Sequence, residues 1–167
     1  REGIQKLFYQ GAMFRHERPQ KGRYRQFHQA GVEVFGVLDA KIDAELILIS
    51  SNIWKELNIK NVELQINSLG SKESREIYKK ELYQYFNKNK DILDDESLYI
   101  LKKNPLRILD SKNKNIQDLI NNAPKIMDNL DDYSKKHFAK FLKYLDILKI
   151  KYKINKNLVR GLDYYNS

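Results

Sequence analysis

The sequence predicts an α+β fold: part of an antiparallel sheet with a flanking helix, carrying an inserted all-helical subdomain. Three observations predict it. Residues 7–15 and 27–36 read as strands on either side of a polar, basic stretch, the pattern of two strands joined by a loop. Ile42, Leu46, Ile49, Ile53 and Leu57 recur at helical spacing. From about Lys72 to Leu148 the pattern turns helical and rich in Lys, Asn and Asp, and strand-like alternation returns after it. The expected segments are 1–70 for the first sheet-and-helix part, 71–149 for the helical insertion and 150–167 for the return to the sheet.

Residues 7–15 form the first expected strand. Pro19 and Gly22 make residues 15–26 a loop. In the second strand, parity separates two faces. His28, Ala30, Val32 and Val34 form a mostly apolar face expected to pack inward. Phe27, Gln29, Gly31 and Glu33 place an aromatic ring, an amide, a bare backbone and a carboxylate in one row. That row suits the floor of a ligand site; it also fits a half-buried strand, and spacing alone does not separate the two. After the helix of Ile42–Leu57 periodicity, residues 62–68 alternate as a strand. Gly70 then makes a turn, and Ser71 is expected to cap the next helix. Within the helical part, Tyr78, Leu82, Tyr85 and Phe86 make one apolar face. Phe138, Phe141, Leu142, Leu145 and Leu148 make another, with Ser134 as the expected cap. Weaker helical pieces lie near 98–102 and 116–119, and Pro105 and Pro124 break the pattern. Ile150, Tyr152 and Ile154 alternate with lysines as a strand, and residues 158–165 are the last strand-like run.

At 167 residues the chain can bury a sizeable core. It has no cysteine, which excludes disulfides, thiolate metal sites and cysteine nucleophiles. Neither a secretory leader nor a run of membrane-spanning length is visible, so a cytoplasmic chain with no membrane partner is expected. It begins at Arg1 rather than Met and stops at Ser167 beside a strand-like run, and an internal fragment of a longer protein is expected.

The formal net charge of +9 matters through its placement. Arg15, Arg18, Lys21, Arg23 and Arg25 crowd one loop, opposed only by Glu17. Arginine makes planar, bidentate contacts with phosphate oxygens, and Phe27 stands just beyond, where a base can stack on it. A nucleotide site and a solvated basic loop both fit this charge. Other patterns fail. His16-Glu17 begins like a zinc helix, but Gln20 stands where the second histidine belongs, so no metal ligands are assigned. Gly70-Ser71-Lys72 lacks the glycine and residue order of a phosphate-binding loop. His137 is expected at the surface of its helix.

The run Met13-Phe14-Arg15-His16-Glu17-Arg18-Pro19-Gln20-Lys21-Gly22-Arg23-Tyr24-Arg25-Gln26-Phe27-His28-Gln29 closely resembles the second class II signature of histidyl-tRNA synthetases, as does its continuation through Gly31-Val32-Glu33-Val34-Phe35-Gly36. Leu158-Val159-Arg160-Gly161-Leu162-Asp163-Tyr164-Tyr165 resembles their histidine-specific signature. Asn104-Pro105-Leu106-Arg107-Ile108-Leu109-Asp110-Ser111-Lys112 also looks like the family. The resemblance covers essentially the whole chain.

The resemblance implies a ligase that joins histidine to ATP, with Mg2+, and passes the histidyl group from the adenylate to the tRNA for histidine. It implies that Arg15 grips the ATP α-phosphate, Glu17 faces the adenine side, Phe27 stacks on adenine and Arg23 contacts phosphate. Gln29 would meet the substrate amino group. Glu33 and Tyr165 would bond the imidazole, Tyr164 would line the same pocket, and Arg160, on the histidine side, would reach the α-phosphate from the opposite side and assist adenylate formation. By strand parity Tyr165 points away from Arg160 and Tyr164, and a bulge near Gly161 would re-aim it; the alternative is a core tyrosine. The complete protein is expected as a homodimer. The family's first signature, its upstream acidic substrate contact, its third, glycine-rich signature and its anticodon-binding domain do not occur in this sequence, so little activity is expected of the chain alone. The inserted lysines suit either the tRNA acceptor arm or a solvated face. Two other classes remain: a catalytically dead relative such as the regulatory subunit of ATP phosphoribosyltransferase, and a basic RNA-binding module. The first tends to lose the signature residues that stand here, and the second explains the charge but not the ordered signatures.

Overall fold

The computed structural model describes residues 3–16 and 18–159. Strands β1 (Gln5–Phe14) and β2 (Gln26–Phe35) pair antiparallel in unbroken register, from Gln5 opposite Phe35 to Phe14 opposite Gln26. Helix α1 (Ala40–Glu56) follows, and Lys6 on β1 reaches Glu45 on it at 2.6 Å. The expected strand at 62–68 narrows to β3 (Gln65–Ile66), which pairs parallel with β4 (Lys153–Ile154). Between them lie α2 (Lys72–Lys88), α3 (Asp95–Lys103), α4 (Gln117–Asn121) and α5 (Asp132–Ile147). Asn104 caps a 3-10 turn over Pro105–Asp110, where proline occupies the first position and its missing N–H costs nothing. No helix among the described residues is long and apolar enough to cross a membrane.

The helices divide between two cores. Tyr78, Leu82 and Phe86 of α2 pack with Leu101, Ile108, Ile116 and Ile120, and Val159 is buried in the same cluster. In α5, Phe138 and Leu145 pack instead with Ala44 of α1 and Ile66 of β3. Lys140–Asp39 at 2.9 Å and His137–Asp43 at 3.3 Å tie α5 to α1, so His137 lies at a helix interface rather than on open surface.

The face of His28, Ala30, Val32 and Val34 does not pack inward as expected. With its cross-strand neighbours it leaves Phe8 83% and Phe14 75% exposed. A two-stranded ribbon has no second layer of its own, and the described residues supply none over most of this face. Leu158 and Val159 lie outside any strand, and residues 160–165 of that expected run fall outside the described residues.

Ser71 caps α2 as expected, but α5 is capped by Asp131, with Ser134 donating to it. Asp131 accepts from the Ser134 N–H at 2.9 Å and hydroxyl at 2.8 Å, from the Ser71 N–H at 3.3 Å and from the Ser74 hydroxyl at 3.2 Å. One carboxylate thus joins the N-termini of two helices. Aspartate outranks serine there because its charge also meets the positive ends of two helix dipoles. These bonds hold Asp131 well below the usual carboxylate range. Asp39 and Asp94, the caps of α1 and α3, are lowered as well, by the Lys41 N–H and Lys140 in one case and by Ser97 and Asn113 in the other.

A carboxylate depressed on folding stabilises at pH values above its unfolded pKa and loses that effect as pH falls. Asp131→Asn is therefore expected to melt at lower temperature than wild type at pH 7. The gap in Tm should begin to close below about pH 4, where unfolded aspartate protonates. Thermal melts across that range check this; a gap independent of pH would show that the Asp131 charge is not what joins the helices.

Candidate functional site

Residues directly opposite in an antiparallel pair share a face. The register sets Leu7 opposite Glu33, Tyr9 opposite Gly31, Gly11 opposite Gln29 and Met13 opposite Phe27, so all eight lie on one face. The ladder continues past the strands through the Arg15 N–H to the Arg25 carbonyl at 2.8 Å, which adds Arg15 to that face by parity. The row from Phe27 to Glu33 spans about 20 Å at the rise of an extended strand. The expected row is therefore present, and β1 supplies its other half.

At the loop end, the Arg15 guanidinium lies over the Phe27 ring, 3.8 Å from its centroid. Its Nε is buried and has no hydrogen-bond partner among the described residues. An unmet buried donor is unfavourable, and a phosphate oxygen would satisfy it. Further along, Gln29 Nε2 donates to the Tyr9 hydroxyl at 2.8 Å. The Tyr9 ring lies across Gly31, so close that a Cβ there would overlap it. Gly11, opposite Gln29, has open space where a Cβ would stand. The face thus runs from a cation stacked on an aromatic ring, past an open notch, to an amide and phenol, and ends on the Glu33 carboxylate.

The basic loop is itself a small hairpin. Gln20 and Arg23 exchange backbone hydrogen bonds at 3.1 and 2.8 Å around Gly22, whose φ of +76° suits glycine. Arg18, Lys21, Arg23 and Arg25 are exposed along it. The structure brings Arg15, Phe27, Gln29 and Glu33 onto one face and sets Arg23 on the outer turn. Glu17, Arg160, Tyr164 and Tyr165 lie outside the described residues. Tyr9 and Gly11 belong to the face although nothing in the sequence pattern singles them out; the cross-strand register is the signal that finds them. No cluster of three or more histidine, aspartate or glutamate residues able to hold a metal ion lies among the described residues.

The family model described as histidyl-tRNA synthetase matches residues 1–166. The histidine–tRNA ligase of Ruthia magnifica subsp. Calyptogena magnifica is 64% identical over 166 residues, covering 99% of this chain and 39% of that protein. That of Vesicomyosocius okutanii subsp. Calyptogena okutanii is 61% identical with the same coverage. That of Hydrogenovibrio crunogenus is 57% identical over 163 residues, covering 98% of this chain and 38% of that protein. The crystal structure of apo histidyl-tRNA synthetase from S. aureus superposes with a TM-score of 0.69 at 36% identity, covering 96% of this chain and 36% of that one. The chain therefore spans about two fifths of the length of the curated relatives it matches.

Proposed function

The chain belongs to the histidyl-tRNA synthetase family, and from that premise we propose that the complete protein is a histidine–tRNA ligase. It activates histidine with ATP and transfers the histidyl group from the adenylate to the 3′-terminal adenosine of the tRNA for histidine. The observation that carries this is the hairpin face, with an unmet Arg15 donor beside Phe27 at one end and Gln29 and Glu33 towards the other.

In the first step a histidine carboxylate oxygen attacks the α-phosphorus, and the bond to the pyrophosphate oxygen breaks. Negative charge grows on the α-phosphate. Arg15 leaves the Phe27 ring for those oxygens and stabilises that charge without proton transfer. Phe27 stacks on adenine, which contributes about 1–3 kcal/mol for a base on an aromatic ring, and Arg23 on the outer turn meets the phosphates. Gln29, steadied by Tyr9, receives the substrate amino group beside the Gly11 notch. Glu33 bonds the imidazole, and a side chain without a donor there leaves the carboxylate unpaired, which selects for histidine. Glu17 on the adenine side, Arg160 on the α-phosphate, and Tyr164 and Tyr165 around the imidazole complete the proposed site. No residue of this segment is assigned to the Mg2+ that accompanies ATP, and no step is routed through it. The complete protein is proposed to act as a homodimer in the cytoplasm, with the helices of residues 72–147 against the tRNA acceptor arm.

Exchange of labelled pyrophosphate into ATP tests the proposal. The complete protein should support exchange with histidine and not with other amino acids; absence of histidine-dependent exchange would overturn it. The isolated chain, with the apolar side of its hairpin exposed at Phe8 and Phe14, is expected to show no exchange above background. Robust exchange by the chain alone would show that the hairpin face needs no further elements.

A further inference from the structure

We propose that Asn67 is a positioning residue for the backbone of residues 156–159, which leads into the run at Arg160, acting together with Lys125 from the helical side. The inference rests on the functional reading above, which places substrate contacts in that run. Asn67 follows β3, and its Nδ2 donates to the carbonyls of Leu158 at 3.0 Å and Lys156 at 3.4 Å. Its side chain thereby continues the β3–β4 ladder, whose last backbone bond runs from the Asn155 N–H to the Ile66 carbonyl at 3.0 Å. The turn between is closed by the Leu158 N–H on the Asn155 carbonyl at 2.9 Å and the Asn157 N–H on Asn155 Oδ1 at 3.0 Å.

The other side of the turn is held from the helices. Lys125 Nζ donates to Asn157 Oδ1 at 2.7 Å and to the Ile120 carbonyl at 3.1 Å. Val159, the residue before Arg160, is 7% exposed and buried among the side chains of α2 and its partners. The backbone entering the run is therefore fixed between the small parallel sheet and the helical core.

Asn67 Oδ1 is buried and has no partner among the described residues. An apolar side chain of similar volume would avoid that unfavourable acceptor. An amide at this position therefore serves better for direction than for burial: two carbonyls on one side dictate which way its N–H group points. Errors of about 1 Å in a reacting geometry can reduce rates about a hundredfold, so a side chain that sets this backbone governs the chemistry without touching substrate.

The test uses the complete protein carrying Asn67→Leu or, separately, Lys125→Met, with histidine-dependent pyrophosphate exchange and thermal melts. The expected result is a fall in kcat of about tenfold or more for Asn67→Leu and a smaller fall for Lys125→Met. The KM for histidine should rise in both, the KM for ATP should stay within about twofold, and Lys125→Arg should recover part of the loss. A purely structural role would move the two KM values together and follow the drop in Tm, and that result overturns the proposal. So does wild-type kinetics in both variants. Should Asn67→Leu fail to fold, Lys125→Met decides alone. A wild-type protein with no histidine-dependent exchange would instead refute the functional reading itself.

Discussion

Arg15→Ala in the complete protein is expected to lower kcat for histidine-dependent pyrophosphate exchange by about a hundredfold to a thousandfold, the size of effect that follows removal of one preorganised donor to a developing oxyanion. Binding of ATP in its ground state should change less, because Phe27 and the other loop cations remain. Arg15→Lys should recover only part of the rate. A lysine ammonium is a point charge and does not reproduce the planar fork that grips two phosphate oxygens. The hairpin should survive either change. In the free protein Arg15 contributes one cation over one half-buried ring, worth about 0.5–2 kcal/mol. Steady-state kinetics with a melting curve for each variant separates these effects. A kcat within about threefold of wild type would remove Arg15 from the chemistry.

Gly31→Ala carries the second large effect. The added methyl would overlap the Tyr9 ring, which then has to leave its place and give up the hydrogen bond to Gln29. A histidine KM at least about tenfold higher is expected, with the ATP KM little changed, because Arg15 and Phe27 lie at the other end of the face. Tyr9→Phe keeps the ring and removes the acceptor. It should cost about 0.5–1.5 kcal/mol, the net value of one hydrogen bond. The double variant Tyr9→Ala with Gly31→Ala should bind histidine no worse than Tyr9→Ala alone, because the methyl then meets no ring. Independent, additive effects in the double variant would show that Gly31 matters for some reason other than Tyr9.

Much of this site is legible in the sequence because strand parity is a strict period of two. Phe27, Gln29, Gly31 and Glu33 fall on one face whatever the partner strand does. Tyr9 and Gly11 are not legible that way, since a residue joins a face across the ladder only once the register is known. The cap of α5 escapes the local pattern for a similar reason. Ser134 is a good local cap, but Asp131 also collects the Ser71 N–H and the Ser74 hydroxyl from a helix about sixty residues earlier in the chain, a contact that local pattern does not contain. The strand expected at 62–68 shrinks to Gln65–Ile66 because the only partner it meets among the described residues is the short β4. Alternation at Leu64 and Ile66 shows which side faces the core, not how many residues find a ladder, and Val62, on the same parity, stays exposed. The even-numbered hairpin face has an inward-facing composition, yet Phe8 and Phe14 stand open: composition records what a surface is built to meet, and the described residues hold no layer over that part of the face.

The most direct measurement is the structure of the complete protein bound to a non-hydrolysable histidyl-adenylate analogue. The expected result places the adenine on Phe27, the phosphate surrogate within hydrogen-bond distance of Arg15, the amino group at Gln29 and the imidazole at Glu33, all on the face that carries Tyr9 and Gly11. An analogue bound away from that face, or on it with Arg15 still stacked on Phe27 and its Nε unmet, would contradict the assignment of the hairpin as the adenylation site.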